Sequence, residues 1–293
     1  ILFLLPFAAG ALSLILRRHA KEITLATSAL LTASSILSYF YYEASVTVSA
    51  EVLHIPFAIL DFLLLSYFCY VGYKSQDKKI IFLAVFQMAF LFAAKGYHVE
   101  SGADIVVDKL SIFMFLLINV VGSSVLVYAT RYVGDETTDI AKQSRFLATL
   151  TAFLGVMNLL VSADNIEWLF MFFEMTTLAS FWLIGFRDNE ESKNNARTAL
   201  WMNQIGGAAL VIAVLISKSH LHTVYISQIL INGGDYLLLV TALISVAALI
   251  KGAQIPFSGW LLGAMVAPTP VSAILHSSTM VKIAPYLLLK ISP

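Results

Sequence analysis

Cysteine is nearly absent: Cys69 is the single one in 293 residues. That excludes an internal disulfide, and it excludes a thiolate cluster for iron–sulfur or zinc ligation. Charge is scarce as well. Charged residues make up 12% of the chain, about half of what a soluble domain carries. The 18 basic and 18 acidic residues cancel, so there is no bulk field to gather nucleic acid or an acidic partner. No Pro-, Gly- or Ser-rich linker divides the chain. No basic stretch precedes the first apolar run, as a cleaved signal peptide would require. The six histidines are scattered; the one close pair, His220 and His222, lies in a polar connector and reads as solvated loop before it reads as a metal site. No cofactor is expected in this chain.

What the sequence does have is apolar length. Hydrophobic residues make up 59% of it and the mean hydropathy is +0.84, which defines an integral membrane protein. Crossing the hydrocarbon takes about 20 mostly apolar residues as a helix. Ten segments qualify: 2–16, 23–42, 54–73, 80–94, 110–132, 146–162, 166–186, 196–216, an interrupted 236–262, and 271–289. All should be helices, because lipid offers no partner to unpaired backbone amides and the alternation of a barrel strand is missing. The expected fold is therefore all-α and polytopic, with one broken helix.

The connectors alternate in character. Odd ones are basic: Arg17, Arg18 and Lys21; then Lys74, Lys78 and Lys79; then Arg131, Lys142 and Arg145; then Arg187, Lys193 and Arg197. Even ones are acidic or nearly neutral, with Glu43 and Glu51, then Glu100, Asp104 and Asp108, then Asp164 and Glu167, then Lys218 before Asp235. Basic connectors stay on the cytoplasmic side, so the pattern predicts a multi-pass protein of the cell's inner membrane with its N-terminus outside.

Five ionisable residues remain at depth: Asp61, Glu174, Lys251, His276 and Lys282. A charge at the bilayer centre costs about 2.5–3.5 kcal/mol, so such residues face protein or water and mark function by default. Glu174 lies near the middle of its segment and cannot reach the interface; a structural carboxyl bonded to Thr176 or Thr177 is the plain alternative. Lys251 precedes GAQIPF, where Pro256 lacks a donor N–H and breaks the helix. Backbone freed at membrane depth is tolerated where it is buried in protein or lines a hydrated cavity, so a lysine beside the break points to an ion path. A carboxylate such as Glu174 close to it would tie the protonation of one to the charge of the other. His276 is followed by the hydroxyls of Ser277, Ser278 and Thr279 and can relay a proton through either ring nitrogen; a satisfied core histidine is the alternative. Lys282 is about 120° around a straight helix from His276, so the two need a bridging water or a kink, which Pro285 could supply. Asp61 is explained as well by a hydrogen bond to another helix as by ion transfer.

These residues carry a resemblance. KGAQIPF from Lys251, Trp260–Leu261, Ala264–Met265, PTPVSA from Pro268 and HSSTMVK from His276 resemble the signature of the antiporter-like subunits shared by respiratory complex I, Mrp-type cation/proton antiporters and energy-converting [NiFe] hydrogenases. Upstream, DKLSIFM from Asp108, FFEMTTLASFWLIGF around Glu174 and ARTALWMNQIGG from Ala196 also fit. The resemblance implies a proton-translocation core at 108–293, the first of two inverted five-helix repeats, preceded by an N-terminal part at 1–107 with two additional segments, 54–73 and 80–94. It implies that Glu174 tunes Lys251, the channel lysine, and that His276 and Lys282 relay onward. The second repeat is missing from the sequence, and truncation is the favoured explanation.

Leu262–Gly263 replaces an acidic residue usual in complex I, and Gly207 stands where complex I members carry Asp. With the additional segments, these departures place the chain nearest the Ech or CO-induced hydrogenase branch. The expected function is ion translocation, of H⁺ or possibly Na⁺, in such a complex, without redox chemistry of its own; partner membrane subunits and a peripheral [NiFe] and iron–sulfur arm would move the electrons. A complex I or Mrp-like Na⁺/H⁺ antiporter subunit is the alternative, and a purely structural anchor the third reading.

Overall fold

The computed structural model describes residues 1–292, leaving Pro293 and the Ser278 side chain outside the description, and every expected apolar segment is helical in it. The chain runs α1 (Leu5–Ile15), α2 (Ala20–Phe40), strand β1 (Val46–Val48), α3 (His54–Ser75), α4 (Lys78–Ala94), β2 (Ile105–Val107) and α5 (Lys109–Leu116). A π turn, Leu117–Val121, leads on to α6 (Gly122–Glu136), then α7 (Ile140–Leu160), α8 (Ile166–Ile184) and α9 (Glu190–Ile216). After them come α10 (Ile226–Asn232), α11 (Leu237–Lys251), α12 (Gly259–Gly263), α13 (Thr269–Ala273) and α14 (Ile283–Lys290).

Short polar residues set the starts. Asp77, Asp108, Asp139, Asn165 and Asn189 sit just before α4, α5, α7, α8 and α9, and each accepts from a backbone N–H of the first turn at 2.7–3.0 Å. Such caps satisfy donors that the helix itself cannot.

Among the described residues six helices are long and apolar enough to cross a membrane: Arg17–Phe40, Glu51–Ser75, Lys109–Glu136, Ile166–Arg187, Glu190–Leu221 and Gly234–Lys251. The remaining expected segments are shorter, more polar or interrupted. α1 has 11 residues and α4 has 17, α7 carries Lys142, Gln143 and Arg145 in its first two turns, and the last segment is broken into α13 and α14. Helices α7, α8 and α9 form the buried centre, with Phe153, Phe170, Phe173, Leu200 and Leu210 wholly enclosed.

The expectation that all structure is helical missed one element. β1 and β2 pair antiparallel, Val46 with Val107 and Val48 with Ile105. Both are β-branched runs in connectors, where the helix requirement of the lipid core does not apply.

Connectors sort by sign into two ends. At the acidic end the buried Asp104 carboxylate accepts from Ala50 N–H at 2.9 Å, His54 Nε2 at 2.8 Å and Asn165 Nδ2 at 2.8 Å, joining three connectors. At the basic end Arg187 pairs with Glu136 at 2.6 Å and donates to the Val266 carbonyl at 2.9 Å. Thus the alternation read along the chain becomes a separation in space.

Candidate functional site

α11 ends at Lys251, and the ending is built locally. Gln254 N–H donates to Leu249 C=O at 2.9 Å and Ala253 N–H to Ile250 C=O at 3.0 Å, the paired bonds of a Schellman stop. That stop needs a left-handed residue after the cap, and here it is Ala253, at φ 53°. Trp260 Nε1 donates to the Ile250 carbonyl at 2.9 Å, so one carbonyl freed by the interruption finds an indole. The Ile255–Pro256 peptide is cis, and helix resumes at Gly259. The expected break is where Pro256 placed it.

The Lys251 side chain is fully buried. Its ammonium donates to Thr177 Oγ1 at 2.8 Å and to Phe173 C=O at 3.0 Å, and it lies 3.9 Å from the centre of the Phe173 ring. Both hydrogen-bond partners belong to the turn of α8 that carries Glu174. Glu174 is also fully buried. Its Oε1 accepts from Gln87 Nε2 at 3.2 Å, and its Oε2 has no hydrogen-bond partner among the described residues. Lysine and glutamate therefore share one helix turn without being locked in a direct ion pair. In a low-dielectric interior such charges feel each other strongly across this separation, while each keeps capacity to change partner.

Glycine makes the room. A Cβ at Gly207 of α9 would stand 1.7 Å from Glu174 Oε1 and 2.8 Å from Gln87 Nε2, and one at Gly206 would stand 2.8 Å from the Phe173 ring. The departure at Gly207 noted in the sequence thus has a steric purpose in this chain: the carboxylate occupies the space of the missing side chain. A Cβ at Gly252 would meet Ala284 Cβ at 2.4 Å, so the end of α11 is seated directly on α14.

Sequence reasoning missed Gln87. It sits alone among apolar residues in FLAVFQMAFLF, a signal that a search confined to ionisable groups passes over. Its Nε2 also donates to Gln204 C=O at 2.8 Å, so α4 joins α8 and α9 at the carboxylate. Gln204 and Asn203 add further buried polar atoms without partners among the described residues.

The other sequence-chosen residues fall around this centre. His276 lies in a π turn, Ile274–Ser278, half-buried, with Nε2 enclosed and unpartnered among the described residues. Lys282 ends a 3-10 turn, Met280–Lys282, and no described side chain bonds it to His276. The chain is interrupted between them, but at Thr279 (φ −128°, ψ −92°) and not at Pro285, which lies in the first turn of the continuous helix α14. Asp61 makes no hydrogen bond to another helix among the described residues; its buried Oδ1 is unpartnered, and its carboxylate is within electrostatic reach of Glu167 and Glu174. The structure brings Glu174 and Lys251 together, sets Asp61 near them, and leaves His276 and Lys282 on the next interrupted helix.

Comparison with known proteins places the chain in a family. The family described as NADH:quinone oxidoreductase/Mrp antiporter, TM matches residues 162–293, and that of the NADH-ubiquinone oxidoreductase (complex I) chain 5 N-terminus matches 95–146. The Na(+)/H(+) antiporter subunit A1 of Staphylococcus haemolyticus is 36% identical over 202 residues, 67% of this chain and 25% of that protein. A putative antiporter subunit mnhA2 of Staphylococcus aureus is 34% identical over 200 residues, 66% of this chain and 25% of that protein. Among solved structures, the Mrp complex from Dietzia sp. superposes with a TM-score of 0.72 at 25% identity, covering 98% of this chain and 27% of that one. The membrane-bound sulfane sulfur reductase, an archaeal respiratory membrane complex, shares the fold with a TM-score of 0.71 at 13% identity, covering 98% and 51%.

Fold and buried charges together define a multi-pass membrane protein with ionisable groups held in its interior. The chain belongs to the family of antiporter-like membrane subunits found in complex I and Mrp antiporters. It spans about a quarter of the length of the curated relatives it matches.

Proposed function

We propose that this chain is the ion-translocating core of a membrane subunit, in which Glu174 and Lys251 exchange a proton load and His276 and Lys282 carry it onward. The observation that supports this most is the Lys251 ammonium. It is fully buried at a helix interruption and bonded to the turn of α8 that bears a second, unpaired charge-bearing group. Holding helices together requires neither an ammonium nor a broken helix, and burying a charge is costly. Because the charge of each group sets the protonation of the other, displacing a proton at Glu174 propagates to Lys251. The basic end would face the cytoplasm and the acidic end the outside of the inner membrane.

The subunit would work beside other membrane subunits. Leu262–Gly263 and Gly207, which depart from the complex I pattern, favour an energy-converting hydrogenase over complex I, with a [NiFe] and iron–sulfur arm as electron source. The second reading, a Mrp-like Na⁺/H⁺ antiporter, is favoured by the names of the relatives. The test is Lys251→Ala in the complete complex, in sealed vesicles with a pH-sensitive dye. Coupled translocation should vanish while uncoupled turnover of the partner arm persists; undiminished pumping overturns the proposal. A proton gradient driven by hydrogen turnover identifies the hydrogenase assembly, whereas one driven by added Na⁺ alone identifies the antiporter.

A further inference from the structure

Two cavities meet at the acidic end. The inner one, about 420 Å³, is lined by His54, Asp61, Lys95, Glu167, Trp168 and Lys218. The outer one, about 260 Å³, shares His54, Glu167 and Lys218 and adds Glu51, Glu100 and Tyr225. The residues common to both include an ion pair, Lys218 Nζ to Glu167 Oε1 at 2.7 Å. An acidic outer chamber, a charged pair at the shared wall and an inner chamber reaching Asp61 therefore adjoin one another.

Asp61 gives the inner chamber a purpose. It sits two turns into α3, is 6% exposed, and presents a buried oxygen with no hydrogen-bond partner among the described residues. An unpaired polar atom this deep is costly in a merely structural position. The groups around the chamber are His54 and Asp61 from α3, Lys95 just after α4, Glu167 from α8 with Glu174 two turns further in, and Lys218 from the turn after α9. Lys218 is held by Glu167, and Lys95 lies over the Phe62 ring at 4.6 Å. The Asp61 carboxyl thus has no cationic group in direct contact among the described residues.

We propose that these chambers form a gated cation vestibule, with the Glu167–Lys218 pair as the gate and Asp61 as the inner docking carboxylate through which a proton or small monovalent cation reaches Glu174. Low-dielectric walls focus the field of the charges they carry, and the outer chamber sets Glu51, Glu100 and Glu167 against the single ammonium of Lys218. The gate works by exchange: a cation arriving at Glu167 competes with Lys218, and the ammonium's withdrawal opens the way to Asp61. This path uses α3, which the Glu174–Lys251 site does not. The proposal deepens the ion-translocation reading and rests on it.

The test measures accessibility. In the complete protein with Cys69→Ala, the cavity-lining Ala58→Cys is exposed to membrane-impermeant methanethiosulfonates, one bearing trimethylammonium and one bearing sulfonate, in vesicles of each orientation. Labelling is expected from the side of the acidic end alone, about tenfold faster with the cationic reagent, the lower end of what field focusing achieves. Asp61→Asn should abolish that charge preference, and Lys218→Gln should speed labelling. Protection by Na⁺ against a choline control identifies sodium as the cation, and charge preference without protection identifies the proton. No labelling from the aqueous phase, or equal rates for both reagents, overturns the vestibule. Labelling is read without any ion transport, so failure of the vestibule and failure of the translocation reading give different results.

Discussion

Gly207 and Glu174 occupy one space: the carboxylate lies where the glycine has no side chain, 1.7 Å from the Cβ it lacks. The clashing atom is the far end of a flexible side chain, so adding a methyl displaces the carboxylate more than the helices. Gly207→Ala should therefore cost only about 1–3 kcal/mol of stability, as overpacking does, yet reduce coupled ion translocation severely. Combining it with Glu174→Asp, whose shorter side chain clears the new methyl, should restore part of the activity. Translocation assayed against expression level in the same membranes separates the two effects.

Thr177 holds Lys251 through one hydroxyl. Thr177→Val keeps the shape and removes the acceptor, and a hydrogen bond to a charged group is worth about 1.5–3 kcal/mol. The translocation rate should fall by roughly tenfold or more, since 1.4 kcal/mol is a factor of ten, while Thr177→Ser should stay near wild type. Equal losses in the two variants would mean that the hydroxyl is not what positions the ammonium.

Ala253 adopts the left-handed conformation in the stop of α11, which costs an L-residue roughly 1–2 kcal/mol. Ala253→Gly should raise the thermal midpoint of the detergent-solubilised protein, with part of the gain offset by the greater freedom of glycine in the unfolded chain. Ala253→Val should lower it, because β-branching makes a positive φ costlier. Thermal unfolding of the three proteins side by side checks the ordering.

At the basic end the Arg187 guanidinium, hydrogen-bonded to Glu136, holds the Glu136 carboxyl below its ordinary value of 4.5. A carboxyl with a lowered folded-state value contributes stability above its unfolded value and loses it as pH falls through the folded value. Wild type should therefore lose midpoint temperature from about pH 5 downward by more than Glu136→Gln does, and the difference should shrink in high salt because the pair is partly exposed. Parallel pH-dependent melts of the two proteins would expose a failure as superimposable curves.

The break at Lys251 was legible because Pro256 is a local chemical fact, and the buried positions of Glu174 and Lys251 were legible because a charge inside an apolar run has nowhere else to go. Gln87 was not, since an amide carries no formal charge and its partners lie 87 and 117 residues away. The β1–β2 ribbon was hidden for a related reason: three-residue strands leave no periodicity to read. Asp104 looked like one more acid in a connector, because nothing along the chain reveals that three connectors converge on it. Gly207 was visible as a departure, but its purpose required knowing which side chain fills the space.

Gly252 rests against Ala284 with no room for a side chain between them, and each lies beside a residue of the proposed relay: Lys251 precedes one, and Lys282 stands two positions before the other. With Gly252 seated on the Ala284 methyl and no longer side chain between them to absorb a displacement, the two interrupted helices form a single mechanical joint. Whatever moves the end of α11 must shift the start of α14 with it, so the lysines on either side of that joint cannot be repositioned independently.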